Sequence, residues 1–419
     1  MKRYLLLYLL AAGIFLGHYA VSGHAVYGDG IDYWVYLHSW YFDQDEDFNN
    51  EYRHNYSPLY NNNFPDYEFR EVVKTNITVT GKTNNFHPPG TAVILFPAYV
   101  VADWIGGLTG TLRNGYSNIY QITTGLWAVG LAVLGARICE AVAHRITGLR
   151  KEARSAAMVI FLASPLLYYG SYDVLNSHFA SFLVSAIFWL VILGDRAHKW
   201  LYLGLIVGLA GLVRLQDLLL VIPAMLVTRK RDWLGMGVMA GIVMFPLLWQ
   251  WQEMYGRLYP ESYFIRWTGG IWQLGSWFHP INGLFLRTPI LLICLAALPK
   301  LWKKIGPILV FFAIQTAMIT MQGGWSAAAY GGRMYISTLP MFVVLLTLLI
   351  KKLPKLLLWG LVALNFVSIG SFVLFEKEVN SGKKRGLEEH TIQKIESGLR
   401  RLGWWWSKQA EKSNADTRH

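Results

Sequence analysis

The residues best placed for chemistry are one carboxylate, Asp29, and three potential cations, His87, Arg214 and Arg333. Asp29 and Asp32 stand in YGDGIDYWVY (27–36), directly after the apolar run YLLLYLLAAGIFLGHYAV that follows Lys2 and Arg3. A carboxylate beside a low-dielectric boundary can act as a general base if it stays ionised and reaches a substrate proton. Gly28 and Gly30 flank Asp29 and permit close backbone approach. Arg214 lies inside an apolar stretch, GLAGLVRLQDLLLVIPA. An arginine at membrane depth is costly and marks a functional site, and its planar fork matches two oxygens of a phosphate. The competing reading pairs it with Asp217. Arg333 sits in a glycine-rich segment, GGRMY, and His87 precedes two prolines. Arg287, near the outer end of its apolar run, is a weaker candidate, as are Asp32, Tyr33, His178 and Tyr335. Several cations at one membrane face suggest a phosphate at the lipid headgroup level.

The alternating acids of DQDED offer Asp43, Asp45 and Asp47 as oxygen donors for a hard cation. The twelve-residue, glycine-turned calcium loop is absent. A solvated acidic loop explains these residues equally, so no metal or other cofactor is required and a divalent cation is the alternative. No glycine-rich phosphate loop opens a helix, so no nucleotide is implied.

These residues are carried by a chain built for lipid. Of 419 residues, 54% are hydrophobic and 15% charged, against about 25% charged in soluble domains. The deficit runs along the whole chain, which predicts an all-α polytopic membrane protein. The net charge of +12 would suggest nucleic acid in a soluble protein. Here the basic residues cluster in short loops between apolar runs, so they orient the chain instead and no nucleic acid partner is expected. The two cysteines, Cys139 and Cys294, lie in apolar runs and form no disulfide framework or zinc spacing.

The first run is read as a retained helix with its N-terminus in the cytoplasm, the alternative being a cleaved signal peptide. Further runs lie at 119–143, 156–171, 179–194, 200–213, 215–228, 233–251, 283–299, 305–321, 335–350 and 356–375. That makes about eleven crossings, and it puts the basic loops Arg145–Arg154, Arg196–Lys199, Arg229–Arg231, Lys300–Lys304 and Lys351–Lys355 in the cytoplasm. Parity forces two choices. Residues 87–107, HPPGTAVILFPAYVVADWIGG, are set outside the bilayer as an interfacial or re-entrant helix. Residues 200–230 become a hairpin turning at Arg214, with arms of ~14 residues or about 20 Å, short of the ~30 Å hydrocarbon core. The organisation is then a transmembrane domain over 1–375, with 22–118 as its first extracytoplasmic loop, and a polar basic tail over 376–419. The tail's charge on the outer side is the one feature against this orientation.

The ordered motifs resemble the C-type (GT-C) membrane glycosyltransferases, and more closely the protein O-mannosyltransferases, the lipid A aminoarabinose transferase and their bacterial relatives. GDGIDYWVYLHSWYFDQDEDFNNEY is similar to the bacterial pattern of Gly-Asp, Tyr, Leu-x-Ser, Asp-x-Asp and Asn-Glu-Tyr. HPPG stands where that family often has Lys-Pro-Pro, SPLLYYGSYDVLNSHFASF and GLAGLVRLQDLLLVIPA match in order, and GGRMYISTLP resembles its Arg-Tyr-x-x-x-x-Pro segment. The resemblance implies a polyprenyl-phosphate-linked sugar donor used at the outer face of a bacterial cytoplasmic membrane. It implies Asp29 as base toward a lipid, glycan or protein acceptor, and His87, Arg214 and Arg333 as holders of the donor phosphate. Two departures stand out: Gly30 follows Asp29 where many relatives have an acid, and His87 replaces lysine. A transporter or flippase, or an O-antigen-type ligase or polymerase for lipid-linked sugars, is the rival reading.

Overall fold

The computed structural model describes residues 2–56, 77–195, 197–260, 275–280, 282–301, 304–322, 325 and 329–376. Among these the chain is helical, with one isolated bridge between Ile77 and Thr83 in place of strands. The tail over 376–419, apart from Glu376 itself, lies outside the described residues.

Among the described residues, five helices are long and apolar enough to cross a membrane: Lys2–Ser22, Gly90–Thr109, Asn118–Thr147, Lys230–Tyr255 and Lys355–Leu374. Shorter apolar helices stand at Ser177–Ile192, Lys199–Val213, Leu215–Val227, Pro289–Leu301, Gly306–Met321 and Arg333–Leu349. The outer faces of the long helices are as greasy as their inner ones. On the Trp233–Tyr255 helix, Leu234, Val238, Ile242, Phe245 and Trp249 form an exposed stripe at helical spacing. The first helix exposes Leu5, Leu6, Leu9, Leu10 and Leu16, and Lys355–Ser371 exposes Leu356, Trp359, Leu364 and Val367. Water would not tolerate stripes of this extent on a monomer, so the surrounding solvent is lipid and the chain is a membrane protein.

The eleven apolar runs do not all form unbroken helices. Run 156–171 splits at Ala163 and Ser164 into Arg150–Leu162 and Pro165–Ser171. Pro165 cannot continue a helix because it lacks an N–H, and the Ser164 hydroxyl accepts from Leu166 N at 3.3 Å to start the next one. Run 283–299 breaks the same way at Pro289 into pieces of a few residues. Residues 87–107, set aside by parity, form instead one continuous helix, Gly90–Thr109, whose interior Pro97 does not break it. In length and apolarity it could cross a membrane.

Packing is tight where small residues meet backbone. The first helix lies antiparallel to Asn118–Thr147: Tyr4 OH donates to Glu140 Oε2 at 2.8 Å, and Tyr19 OH to Asn118 Oδ1 at 2.8 Å. A Cβ at Gly204 or Gly208 would come within 2.5 or 2.6 Å of the Met236 or Ala240 carbonyl oxygen. Helix Lys199–Val213 therefore rests directly on Trp233–Tyr255, as small residues four apart allow in membranes. The core these contacts build carries the site at one end, where short loop helices and helix breaks converge.

Candidate functional site: a carboxylate among three cations

Asp29 opens the loop helix Asp29–His38. Gly28 before it takes a left-handed φ of 56°, a turn that a side chain would strain. Gly30 after it is equally determined: a Cβ there would lie 2.9 Å from the Leu175 carbonyl oxygen. Any side chain at position 30 would need that neighbour to move.

Arg333 Nη1 donates to Asp29 Oδ2 at 2.8 Å, joining residues 304 positions apart. The arginine side chain is 14% exposed and the aspartate 40%, so the pair opens to solvent on the carboxylate side. Arg333 Nε is buried and makes no hydrogen bond, leaving one edge of the fork unfilled.

His87 comes from the segment before the Gly90–Thr109 helix. Its loop is locked: Asn85 Nδ2 donates to the Asp32 carbonyl at 2.8 Å, His87 N donates to Asn85 Oδ1 at 3.1 Å, and Tyr36 OH donates to the His87 carbonyl at 2.7 Å. The His87 Nδ1 atom lies 3.0 Å from Asp32 Oδ2, close enough for an ion pair though not aligned as a hydrogen bond. Tyr52 OH donates to the other Asp32 oxygen at 2.5 Å. Tyr33 sets its ring edge-on to His87, with centroids 5.1 Å apart. Asp32 therefore orients the imidazole and leaves Asp29 as the more exposed carboxylate of the two.

Arg214 occupies the break between Lys199–Val213 and the turn Leu215–Leu220, where its backbone is extended. It does not pair with Asp217, which accepts from Ser181 Oγ at 2.5 Å and Gln315 Nε2 at 3.0 Å. Instead Arg214 Nη1 reaches Ser177 Oγ at 3.2 Å and His178 Nδ1 at 2.9 Å. Its Nη2 reaches Gln216 Oε1 at 3.4 Å and Met334 Sδ at 2.8 Å. All four partners are neutral or able to be so, and no ion pair to Arg214 occurs among the described residues. Gln216 Nε2 also donates to the Met334 carbonyl at 2.8 Å, tying the Arg333 turn to the Arg214 break.

The charges act on one another. Burial pushes the Asp29 carboxyl up, but Arg333 first, then His87 and Arg214, hold it below the ordinary carboxylate range. For His87, burial works against the charged ring, yet Asp32 and then Asp29 raise it above the usual histidine value. With Asp32 counted, two carboxylates face Arg333, Arg214 and His87, one fewer than three cations would balance once His87 is protonated.

Asp29, Asp32, Tyr33, His87, His178, Arg214 and Arg333 thus converge on one site. Two residues expected beside them do not. Arg287 Nη1 donates to Ser368 Oγ at 2.9 Å, in the last helix. Tyr335 is buried, with its hydroxyl 2.9 Å from Ser276 Oγ. A turn of 3-10 helix over Arg333–Thr338 carries Arg333 to Asp29 and Tyr335 into the core. The alternative metal set of Asp43, Asp45 and Asp47 does not come together either. Asp45 Oδ1 accepts from Ser39 Oγ at 2.8 Å and Asp47 N at 3.2 Å, and Asp47 Oδ1 accepts from Asn49 N at 3.3 Å. Among the described residues the ligand atoms that come within 4.8 Å of one another include Asp43 but neither Asp45 nor Asp47. Asp43 turns away from both, toward His38 and Glu51. Tyr169, whose ring packs on His178 with centroids 4.2 Å apart, and Ser177 complete the wall. The SPLLYYGSYDVLNSHF motif holds both, but nothing in it marks which tyrosine or serine turns inward.

Fold and site define a helical membrane protein with an anion-receptive cluster at the ends of its helices. Comparison with protein-family models, with curated proteins and with solved structures finds no match to this chain.

Proposed function

We propose that this chain is a glycosyltransferase of the GT-C type. It would move a sugar from a polyprenyl-phosphate-linked donor to an acceptor hydroxyl at the extracytoplasmic face of a bacterial cytoplasmic membrane, with about eleven crossings. The observation that carries the reading is the Asp29 carboxylate, ionised and partly exposed, held by Arg333 beside His87 and Arg214.

In this reading the donor phosphate enters among the three cations. Arg333 meets it with the Nε edge that now has no partner, and Arg214 with a fork whose present partners carry no negative charge. The arriving anion draws charge away from Asp29 and raises its proton affinity toward the working range. A base tuned in this way is stronger when donor is bound than when it is absent. Asp29 takes the acceptor proton, the hydroxyl attacks the anomeric carbon, and the C–O bond to phosphate breaks. The leaving phosphate carries the developing charge onto preplaced cations. A single displacement of this kind inverts the anomeric centre. The acceptor is a lipid, a glycan or a protein hydroxyl.

The test uses purified full-length protein in lipid nanodiscs with a polyprenyl-phosphate sugar and an acceptor mixture. Transfer with inversion is the expected result. Arg214→Ala and Arg333→Ala should each cut turnover at limiting donor by at least about 100-fold, the usual loss for one donor to a developing anion. Arg214→Lys should recover only part, having a charge without the fork. Donor flipping across the bilayer without bond cleavage would overturn the reading in favour of a transporter.

A further inference from the structure

We propose that His38, Asp43 and Glu51 form a binding site for one divalent cation, Zn2+ or Mn2+, at the far end of the helix that begins with Asp29. One donor atom from each residue lies within 4.8 Å of the others. His38 Nδ1 is 3.1 Å from Glu51 Oε1 and 3.2 Å from Asp43 Oδ2. Ligands 2.0–2.1 Å from a tetrahedral ion stand about 3.3 Å apart along the edges of the tetrahedron, so these separations need little adjustment.

A second observation points to a ligand. The Glu51 side chain is 0% exposed, and its Oε2 has no hydrogen-bond partner. A buried carboxylate oxygen left in this state is rare without an ion or a proton to satisfy it. Its neighbour Asp43 is a second carboxylate, and both acids lie against the one His38 nitrogen. The histidine is also held in place. Tyr116 stacks on its ring at 4.2 Å and 17°, and Phe42 lies on it at 5.1 Å and 27°.

The donor set selects the ion. Two carboxylates and one imidazole are too rich in oxygen for a soft metal, and the imidazole disfavours magnesium and calcium. Zinc and manganese fit both donor types. The site's position says what the ion does. His38 is nine residues from Asp29 along a helix, about 14 Å at 1.5 Å per residue, too far to touch a group reacting there. The ion would instead clamp His38 to the turn that carries Asp43 and to the helix Asn49–Tyr56. It would order the loop that also supplies Asp45 and Glu46 to a cleft of about 590 Å³, shared with Trp40, Lys82, Trp249 and Glu253.

The experiment titrates Zn2+, Mn2+ and the spectroscopic substitute Co2+ into metal-stripped full-length protein without a histidine tag. The expected result is one equivalent bound, a Co2+ visible spectrum, and a rise in melting temperature. Glu51→Gln and Asp43→Asn should each weaken binding at least tenfold, while Asp47→Asn binds as the parent does. Asp43 is partly exposed, so its variant tests the site even if Glu51→Gln does not fold. Absence of stoichiometric binding by the parent, or unchanged binding in Asp43→Asn, overturns the proposal. Neither outcome depends on whether the chain transfers sugar.

Discussion

Asp29→Asn separates the proton-taking role from the holding role. Asparagine keeps the size of the side chain and retains an oxygen for Arg333 Nη1, which now stands 2.8 Å from Asp29 Oδ2. The carboxylate is 40% exposed, so the charge lost is partly screened and the pair's worth to stability is near the surface range of about 0–1 kcal/mol. The variant should therefore fold and insert with little change in melting temperature. Catalysis should change far more. General-base assistance is worth about 10²–10⁴-fold, or about 2.7–5.4 kcal/mol of barrier. Donor binding should move the other way or not at all, because removing a negative charge beside Arg333, His87 and Arg214 frees them for the phosphate. The assay is sugar transfer in nanodiscs at varied donor, separating kcat from donor KM. A fall in kcat of at least about 100-fold with donor KM unchanged or lowered is the expected pattern. A variant that keeps kcat within threefold refutes the base. A loss that appears wholly as a raised KM would mean Asp29 only positions Arg333.

The pH dependence follows from two opposed shifts. Asp29 is held below the ordinary carboxylate range; its ionised form, and the stability it lends, are present above that range and are lost only as pH falls through the lowered value. His87 is raised, so its charge and its contribution are complete below the usual histidine value and disappear as pH rises through the raised one. Donor affinity should accordingly hold through mildly acidic pH and weaken on the alkaline side. Asp32→Asn removes the strongest influence that raises His87 and should shift that alkaline limb to lower pH in a donor-binding titration. Gly90→Ala tests the assembly of the site. A Cβ at Gly90 would stand 2.5 Å from the Leu212 carbonyl carbon and oxygen, both backbone atoms. It should push the His87 segment away from the Arg214 break, lower stability by about 1–3 kcal/mol as overpacking does, and cost donor affinity beyond that measured for His87→Ala alone.

The sequence alone determined the kind of solvent and the kinds of residue. Apolar runs with few charges can be stable only in lipid, and a carboxylate or guanidinium beside such runs is costly enough that its identity is informative without coordinates. Asp29, His87, Arg214 and Arg333 are legible for that reason: each is a polar residue that composition alone makes conspicuous. Helix breaks were less legible, because Pro165 and Pro289 end helices while Pro97 sits inside one, and the difference lies in what each backbone packs against. Which residues meet was decided by the tertiary structure. Arg333 lies 304 residues from Asp29, and no periodicity can signal a contact over that distance. Arg214 turns from Asp217, three residues on, because Ser181 and Gln315 already hold that carboxylate. Asp43 joins His38 and Glu51 rather than Asp45 because its neighbours are consumed in closing turns. Local spacing proposes partners along one chain direction, whereas burial requires every polar atom to find a partner in three dimensions, and that requirement chose which of the conspicuous residues meet.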